Sequence, residues 1–502
     1  MKKIIFLIFA FATIQVANAQ CTLDPSFGTG GIVHIPIAYE NAYGYAAALQ
    51  SDGKIVLAGN TGVSSHLQAV FVRLNTNGTL DNSFGDGGIV LVPGTTTKHI
   101  LEDVAIQSDG KIVATGRINT GSGFSITLIR VNTDGSMDAD FGSNGTVVFN
   151  LKETDVSEAI LIQPDGKYLI GGYSDDNFTM IRVNTDGTLD NTFGTSGVAT
   201  TNFEGSPSGI FDFALQSDGK IVAAGYYLND ESRFKFAVVR YNIDGSLDLT
   251  FGTAGKLVLS IGPAFDFLMS VCVQSDGKIL LGGHTYIDFG PKYDIVVARL
   301  ESNGTLDYSF GIGGYAKARI VEGENYVTDM KVQTDGKIIL AGNTVSDGAI
   351  KEYDLGLVRF NSNGTLDLTF SPTGMVSTDL NGMEDYGNAL LLQTDGKIVA
   401  TGYSYNNHVA EFTAVRYTFP NVGMNETAGN NLSVYPNPTN NIVKIEINSK
   451  SKIEILDMLG NSVFSSFAQD QILVDVSQFS KGIYFVRASS ESSYEVIKLI
   501  VE

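Results

Sequence analysis

Two groups of side chains in this 502-residue chain are of types that do chemistry. The first is acidic. Glu102, Asp103, Glu158, Asp212 and Asp329, with Glu384 and Asp385, recur at the start of one short apolar segment in successive stretches of the chain. If those segments line a common axis, the carboxylates ring its mouth. Crowded like charges raise one another's pKa, and calcium takes oxygen ligands, so the ring is a candidate cation or acid–base centre. The second group is aromatic. Tyr173, Tyr226, Tyr227, Tyr286, Tyr353, Tyr403 and Tyr405 fall in the segments that vary most. Tyrosine offers a flat apolar ring and a hydroxyl, which suits contact with sugars or peptides. The plainer reading is that these rings cover the ends of the strands. His66, His99 and His408 lie in variable segments and make a candidate zinc set without a tight spacing. Asn132 to Asp138 and Asn184 to Asp190 echo a calcium loop but lack its bidentate glutamate, and turn chemistry accounts for them. No serine elbow, phosphate loop, dinucleotide fingerprint or zincin helix is present.

The elements that must position these groups come from a repeat. Gln-x-Asp-Gly-Lys occurs seven times, with lysines at 54, 111, 167, 220, 278, 337 and 397, spaced 53 to 60 residues apart. A period of that length is one supersecondary unit copied many times. In the copy from Glu102 to Leu151, Asp103–Gln107 reads as strand A and Ser108-Asp109-Gly110 as a tight turn. Lys111–Gly116 is strand B, Ser125–Asn132 strand C and Gly145–Phe149 strand D. Four antiparallel strands, apolar on both faces, describe a propeller blade. Repetition also separates scaffold from site, because an active site needs each group once. Arg73, Arg130, Arg182, Arg240, Arg299, Arg359 and Arg416 recur in every copy and read as inter-blade ties. Their expected partners are aspartates such as Asp81, Asp138, Asp190 and Asp248, since a buried guanidinium needs a carboxylate.

The chain enters and leaves this repeat part-way through a copy. Leu23–Gly28 and a D-like strand at Ile32–Ile37 come first; strands A, B and C ending near Arg416 come last. Joined, they make one whole copy and leave no bare sheet edge. The expected fold is all-β: a seven-bladed β-propeller over residues 20–419, closed by its N- and C-terminal segments, plus a small C-terminal β-sandwich. Antiparallel order puts the constant A–B and C–D turns on one face and the variable B–C and D–A loops on the other.

Arg73-Leu74-Asn75 with Leu80-Asp81-Asn82-Ser83-Phe84-Gly85, and Arg240-Tyr241-Asn242 with Leu247-Asp248-Leu249-Thr250-Phe251-Gly252, resemble the bacterial delta-60 repeat proteins. Met137, Glu301 and Ser371 depart from that pattern. The resemblance implies the propeller and brings no activity with it. Beyond a linker at 420–431, residues 432–502 change in texture. Tyr435-Pro436-Asn437-Pro438, Ile453–Gly460, Lys481–Val486 and Lys498–Val501 resemble the type IX secretion sorting domain of Bacteroidetes-type bacteria. That implies handling by the type IX secretion machinery, and a chain released outside or attached to the cell surface.

Residues 1–19 read as a signal peptide, with Lys2 and Lys3, an apolar run and Ala17-Asn18-Ala19. That run is too short to span a bilayer, and no later transmembrane span is visible. Net charge is -21, which repels phosphate backbones and argues against nucleic acid. The two cysteines, Cys21 and Cys272, are not expected to pair. The function that follows is an exported or cell-surface binding or adhesion propeller, non-enzymatic, with a glycan or protein ligand and calcium as the candidate ion. The alternative is a secreted propeller hydrolase or lyase with an axial metal site.

Overall fold

Short runs of Val, Ile, Leu and Ala, broken by Asp-Gly turns, pair with their sequence neighbours because such turns allow only a hairpin return. The computed structural model describes residues 20–37, 40–63, 66–93, 98–121, 123–229, 231–286, 292–346, 352–419, 432–447, 450–457, 462–489 and 494–501. The segments read above as signal peptide and linker lie outside them. Two compact units result, one of residues 20–419 and one containing the C-terminal strands.

In the larger unit, among the described residues, six antiparallel sheets carry four strands each, ordered A-B-C-D. Their A strands are Ala42–Leu49, His99–Ile106, Asp155–Ile162, Ser208–Leu215, Asp266–Val273 and Gly323–Val332. A seventh sheet has Asp385–Leu392, Ile398–Asn406 and Val409–Thr418 as its A, B and C strands. Its outer strand comes from the other end of the chain: Ile32–Ile35 runs antiparallel to the C strand, with Ile32 opposite Val415 and Ile35 opposite Phe412. The core fills the spaces between sheets, as in the cluster of Phe27, Ile35, Leu57, Val72, Leu391 and Phe412.

Every A strand carries a bulge at one position. The extra residues are Tyr45, Glu102, Glu158, Phe211, Met269, Thr328 and Asn388. A bulge bends its strand and re-aims a side chain. Opposite it, each B strand has a glycine: Gly59, Gly116, Gly172, Gly225, Gly283, Gly342 and Gly402. A Cβ at any of these would lie 1.8–2.0 Å from a carbonyl oxygen of the A strand. Only a residue without a side chain lets the two backbones approach so closely.

The smaller unit has one sheet of Leu432–Tyr435, Ile442–Ile447 and Gln471–Asp475. A second has Ser462–Ala468, Ser451–Leu456, Gly482–Ser489 and Tyr494–Val501. Val443, Ile445, Val474, Ile453, Ile455, Val486 and Leu499 form the core between them.

Candidate functional site

The recurring charged residues form the scaffold on the constant-turn face. Each repeat arginine donates its Nε hydrogen to the aspartate eight positions on, at 2.6–2.8 Å: Arg73 to Asp81, Arg130 to Asp138, Arg182 to Asp190, Arg240 to Asp248, Arg299 to Asp307 and Arg359 to Asp367. Arg416 has no such residue after it and takes Asp24 from the N-terminal segment, at 2.8 Å. A second guanidinium nitrogen crosses to the next blade, as from Arg73 to the Thr133 carbonyl at 2.5 Å and from Arg416 to that of Thr76 at 2.5 Å. The following phenylalanine lies under the guanidinium, 4.4 Å from Arg73 to the Phe84 centroid. The repeat lysines, to which sequence reasoning gave no role, bind the same aspartates, from 2.7 Å for Lys111 to 3.4 Å for Lys397.

The seven bulge residues converge on the axis. Together with Asp103, Asp212, Asp329 and Lys331 they line a central cavity of about 160 Å³. Five of the seven acids predicted for the ring, Glu102, Asp103, Glu158, Asp212 and Asp329, are therefore there, whereas Glu384 and Asp385 are not among the lining residues. The oxygens of the three aspartates already have partners. Asp103 accepts from the amides of Val104 and of Ile160 in the next blade, both at 2.8 Å. Asp212 does the same with Phe213 and Val271, and Asp329 with Met330 and Leu390, at 2.7–2.9 Å. These aspartates alternate with small residues around the ring: Ala46, Asp103, Ala159, Asp212, Ser270, Asp329, Ala389. An odd number of sheets breaks the alternation where Ala389 meets Ala46. Lys331 Nζ binds Asp329 at 2.8 Å and Arg117 binds Glu102 at 2.9 Å, so protein cations stand where a metal would. The donor set does not fit an axial ion. Burial pushes the Glu158 carboxyl up to about 8, Glu102 adds to the rise and Arg117 opposes it.

Around the variable-face mouth of that cavity runs a chain of rings. Its members, in spatial order, are Phe211, Tyr226, Phe234, Phe267, Tyr293, Tyr326, Tyr353, Tyr386, Tyr403, Tyr43 and Tyr45. Successive centroids lie 4.6–6.4 Å apart. Tyr286 branches from Tyr293 at 4.1 Å and Tyr405 from Tyr403 at 6.2 Å. The arc spans the fourth to first blades. Tyr173 stands beside Tyr226 across Gly209, and Glu102, Glu158 and Arg117 occupy the remaining gap. On sequence alone these tyrosines belong to the variable loops. The structure puts Tyr173, Tyr226, Tyr286, Tyr403 and Tyr405 in B strands and Tyr353 at the start of a C strand, because the hairpins continue past their polar residues. Tyr227 leaves the group. Adjacent to Tyr226 in a strand, it points the other way and packs on Phe203 at 5.4 Å.

The three histidines do not meet. His66 and His408 are exposed, while His99 is buried and its Nε2 lies 3.2 Å from Thr127 Oγ1. Burial holds the His99 pKa down at about 4. The unfolded chain binds its proton near 6.5, so stability is complete above that pH and falls as pH drops from 6.5 through 4. The expected loss is about 3 kcal/mol. Urea denaturation across that range, compared with His99→Asn, measures it; equal slopes would sink the assignment.

Six segments, 50–84, 107–141, 163–193, 216–251, 274–310 and 333–370, match the domain of unknown function (DUF5122) beta-propeller. Residues 433–502 match the secretion system C-terminal sorting domain. These are the repeats of a β-propeller family, followed by a sorting tail. Each matched segment runs from the A–B turn to the phenylalanine beneath the arginine. In the propeller's last copy that stretch is divided between Gln393–Arg416 and Asp24–Phe27, which are continuous in space alone. The sorting tail marks the protein as secreted or cell-surface, through the type IX system. No curated protein matches the chain. Among solved structures, a virginiamycin B lyase from Staphylococcus aureus is similar at 11% identity and TM-score 0.45, covering 76% of this chain and 98% of that one. Chaetomium thermophilum Sqt1 is similar at 14% and 0.43, covering 76% and 96%. The polysaccharide lyase Uly1 is similar at 11% and 0.42, covering 74% and 89%. At such identities, what those proteins bind or cleave stays theirs. Among the described residues no helix is long and apolar enough to cross a membrane.

Proposed function

We propose that this exported propeller is a non-enzymatic binding protein whose aromatic arc takes a glycan chain. One observation carries the reading: half-buried tyrosine and phenylalanine rings, contributed by five successive blades from several positions of the repeat, join into one continuous surface around the mouth of the axis. Sugar rings present apolar C–H faces that lie on aromatic rings, and tyrosine hydroxyls satisfy the hydroxyls at the rim. Residues 432–502 serve export through the type IX machinery and residues 1–19 serve as the signal. A protein ligand would use the same surface and is an outcome of the test.

The enzymatic alternative has less support. A hydrolase or lyase acting through an axial metal needs free carboxylate oxygens and room for substrate. The axial acids are engaged by amides, Lys331 and Arg117, and about 160 Å³ falls below the usual size of a small-molecule site.

A glycan array followed by calorimetry tests the proposal. The double variant Tyr353→Ala/Tyr386→Ala should weaken binding at least about tenfold, or ~1.4 kcal/mol, while Ile243→Ala on the opposite face leaves it unchanged. Absence of glycan binding by the parent protein, or indifference to the tyrosines, overturns it.

A further inference from the structure

The repeat supplies its own controls for a cluster that sequence reasoning did not assemble. Three structurally equivalent positions lie where a C strand, the end of the following D strand and the next A strand meet; at three successive junctions they are separated by 25 and then 6 residues. Between the fourth and fifth blades they are Lys235, Ser260 and Asp266. There Lys235 Nζ binds the fully buried Asp266 at 3.0 Å. Between the fifth and sixth they are Asp294, Arg319 and Asn325, and Arg319 binds Asp294 at 2.8 Å. Each set holds one cation and one anion.

Between the sixth and seventh blades the same positions are Asp354, Asp379 and Asp385. One carboxylate oxygen of each lies within 4.8 Å of the others. Asp385 is completely buried, and its Oδ1 has no hydrogen-bond partner among the described residues. Its other oxygen accepts from the Leu380 amide at 2.7 Å. Asp379 Oδ1 accepts from the amides of Asn381 and Gly382, at 3.0 and 2.6 Å, which fixes that carboxylate in the cluster. The place filled by an ammonium or guanidinium in the two preceding sets therefore has three acids and, among the described residues, no protein cation.

We infer that Asp354, Asp379 and Asp385 bind one hard divalent cation, calcium in preference to magnesium. Three oxygens no more than 4.8 Å apart have a common point at most about 2.8 Å from each, so at most a small contraction reaches the roughly 2.3–2.6 Å of calcium–oxygen bonds. Magnesium demands shorter bonds and a near-ideal octahedron, which two strands and a loop from different sheets do not present. Burial, then Asp379 and Asp354, push the Asp385 carboxyl up to about 7, the direction expected of a carboxylate cluster that lacks its counter-ion.

Calorimetry of the full chain, stripped with a chelator and titrated with calcium alone, tests this. The expected result is one site per chain and a Tm that rises with calcium. Two substitutions copied from the repeat keep the fold as control. Asp385→Asn places the residue found at position 325, and Asp354→Lys the residue found at 235. Both should abolish the site, and Asp354→Lys should also give the calcium-free protein the Tm of the calcium-loaded parent. Absence of binding by the parent, or binding that survives both substitutions, overturns the site. Tighter magnesium than calcium binding overturns the calcium assignment.

Discussion

Replacing Asp24 by alanine is expected to destabilise the propeller by about 3–5 kcal/mol, because it leaves a buried guanidinium without its carboxylate. Arg416 and Asp24 are 5% and 4% exposed, so water cannot take over the lost partner. The equivalent change at Asp248 strips an arginine of the same surroundings, but within a continuous segment. At Asp24 the tie joins the two ends of the chain. It acts there beside the paired strands, the buried Phe27 and Ile35, and the Cys21 amide, which donates to the Phe370 carbonyl. Hydrogen exchange should therefore quicken at Ile32–Ile35 and Phe412–Val415 in the Asp24→Ala variant, and locally alone in Asp248→Ala. Equal protection of the joint in both would sink this reading. The pair also has an acid limit. Burial alone would raise the Asp24 carboxyl, but the Ser26 hydroxyl and amide, then Arg416 and Lys397, hold it down at about 2. Its contribution is thus complete above the ordinary aspartate range and is lost as pH falls from there toward 2.

The second large effect concerns the bulge. Gly342→Ala is expected to cost more than about 4 kcal/mol, or to prevent folding, since its Cβ would sit 1.9 Å from the Tyr326 carbonyl oxygen. Nothing flexible can yield: the obstacle is backbone, held in a sheet packed on both sides. Gly382→Ala is the comparison, with a positive φ of 73° but no atom within 4 Å of the added methyl. It should cost only about 1 kcal/mol of backbone strain. Urea denaturation of both variants measures the difference, and similar midpoints would refute the role assigned to the close approach.

The scaffold was legible because its chemistry recurs. Arg240, Asp248 and Phe251 stand at the same spacing in copy after copy, and a residue type kept that often has to satisfy its neighbours in every blade. The bulge residues were not legible as a class. Tyr45, Glu102, Phe211 and Asn388 share no property except position, and the feature that places them is the bare glycine opposite. The acids on the axis could be gathered by eye, but not the amides of Ile160, Val271 and Leu390 that engage them, because backbone partners leave no mark on residue type. Tyr227 was misjudged beside Tyr226 for a related reason: only knowing that the strand continues there reveals that neighbours face opposite ways. Asp385 reads as an axial acid and nothing in the sequence sets Asp354 and Asp379 beside it; strand register does, in the places of Lys235 and Arg319.

The divided seventh sheet also sets a timetable. His34 leaves the ribosome early, yet the residue opposite it, Thr413, is 379 positions later. At roughly 5–20 residues per second, translation alone keeps the two apart for tens of seconds. Until then Ile32–Ile35 has no strand to pair with, and the growing array presents unsatisfied amides and carbonyls to whatever it meets. The finished ring has no free edge at this joint; the nascent chain has two.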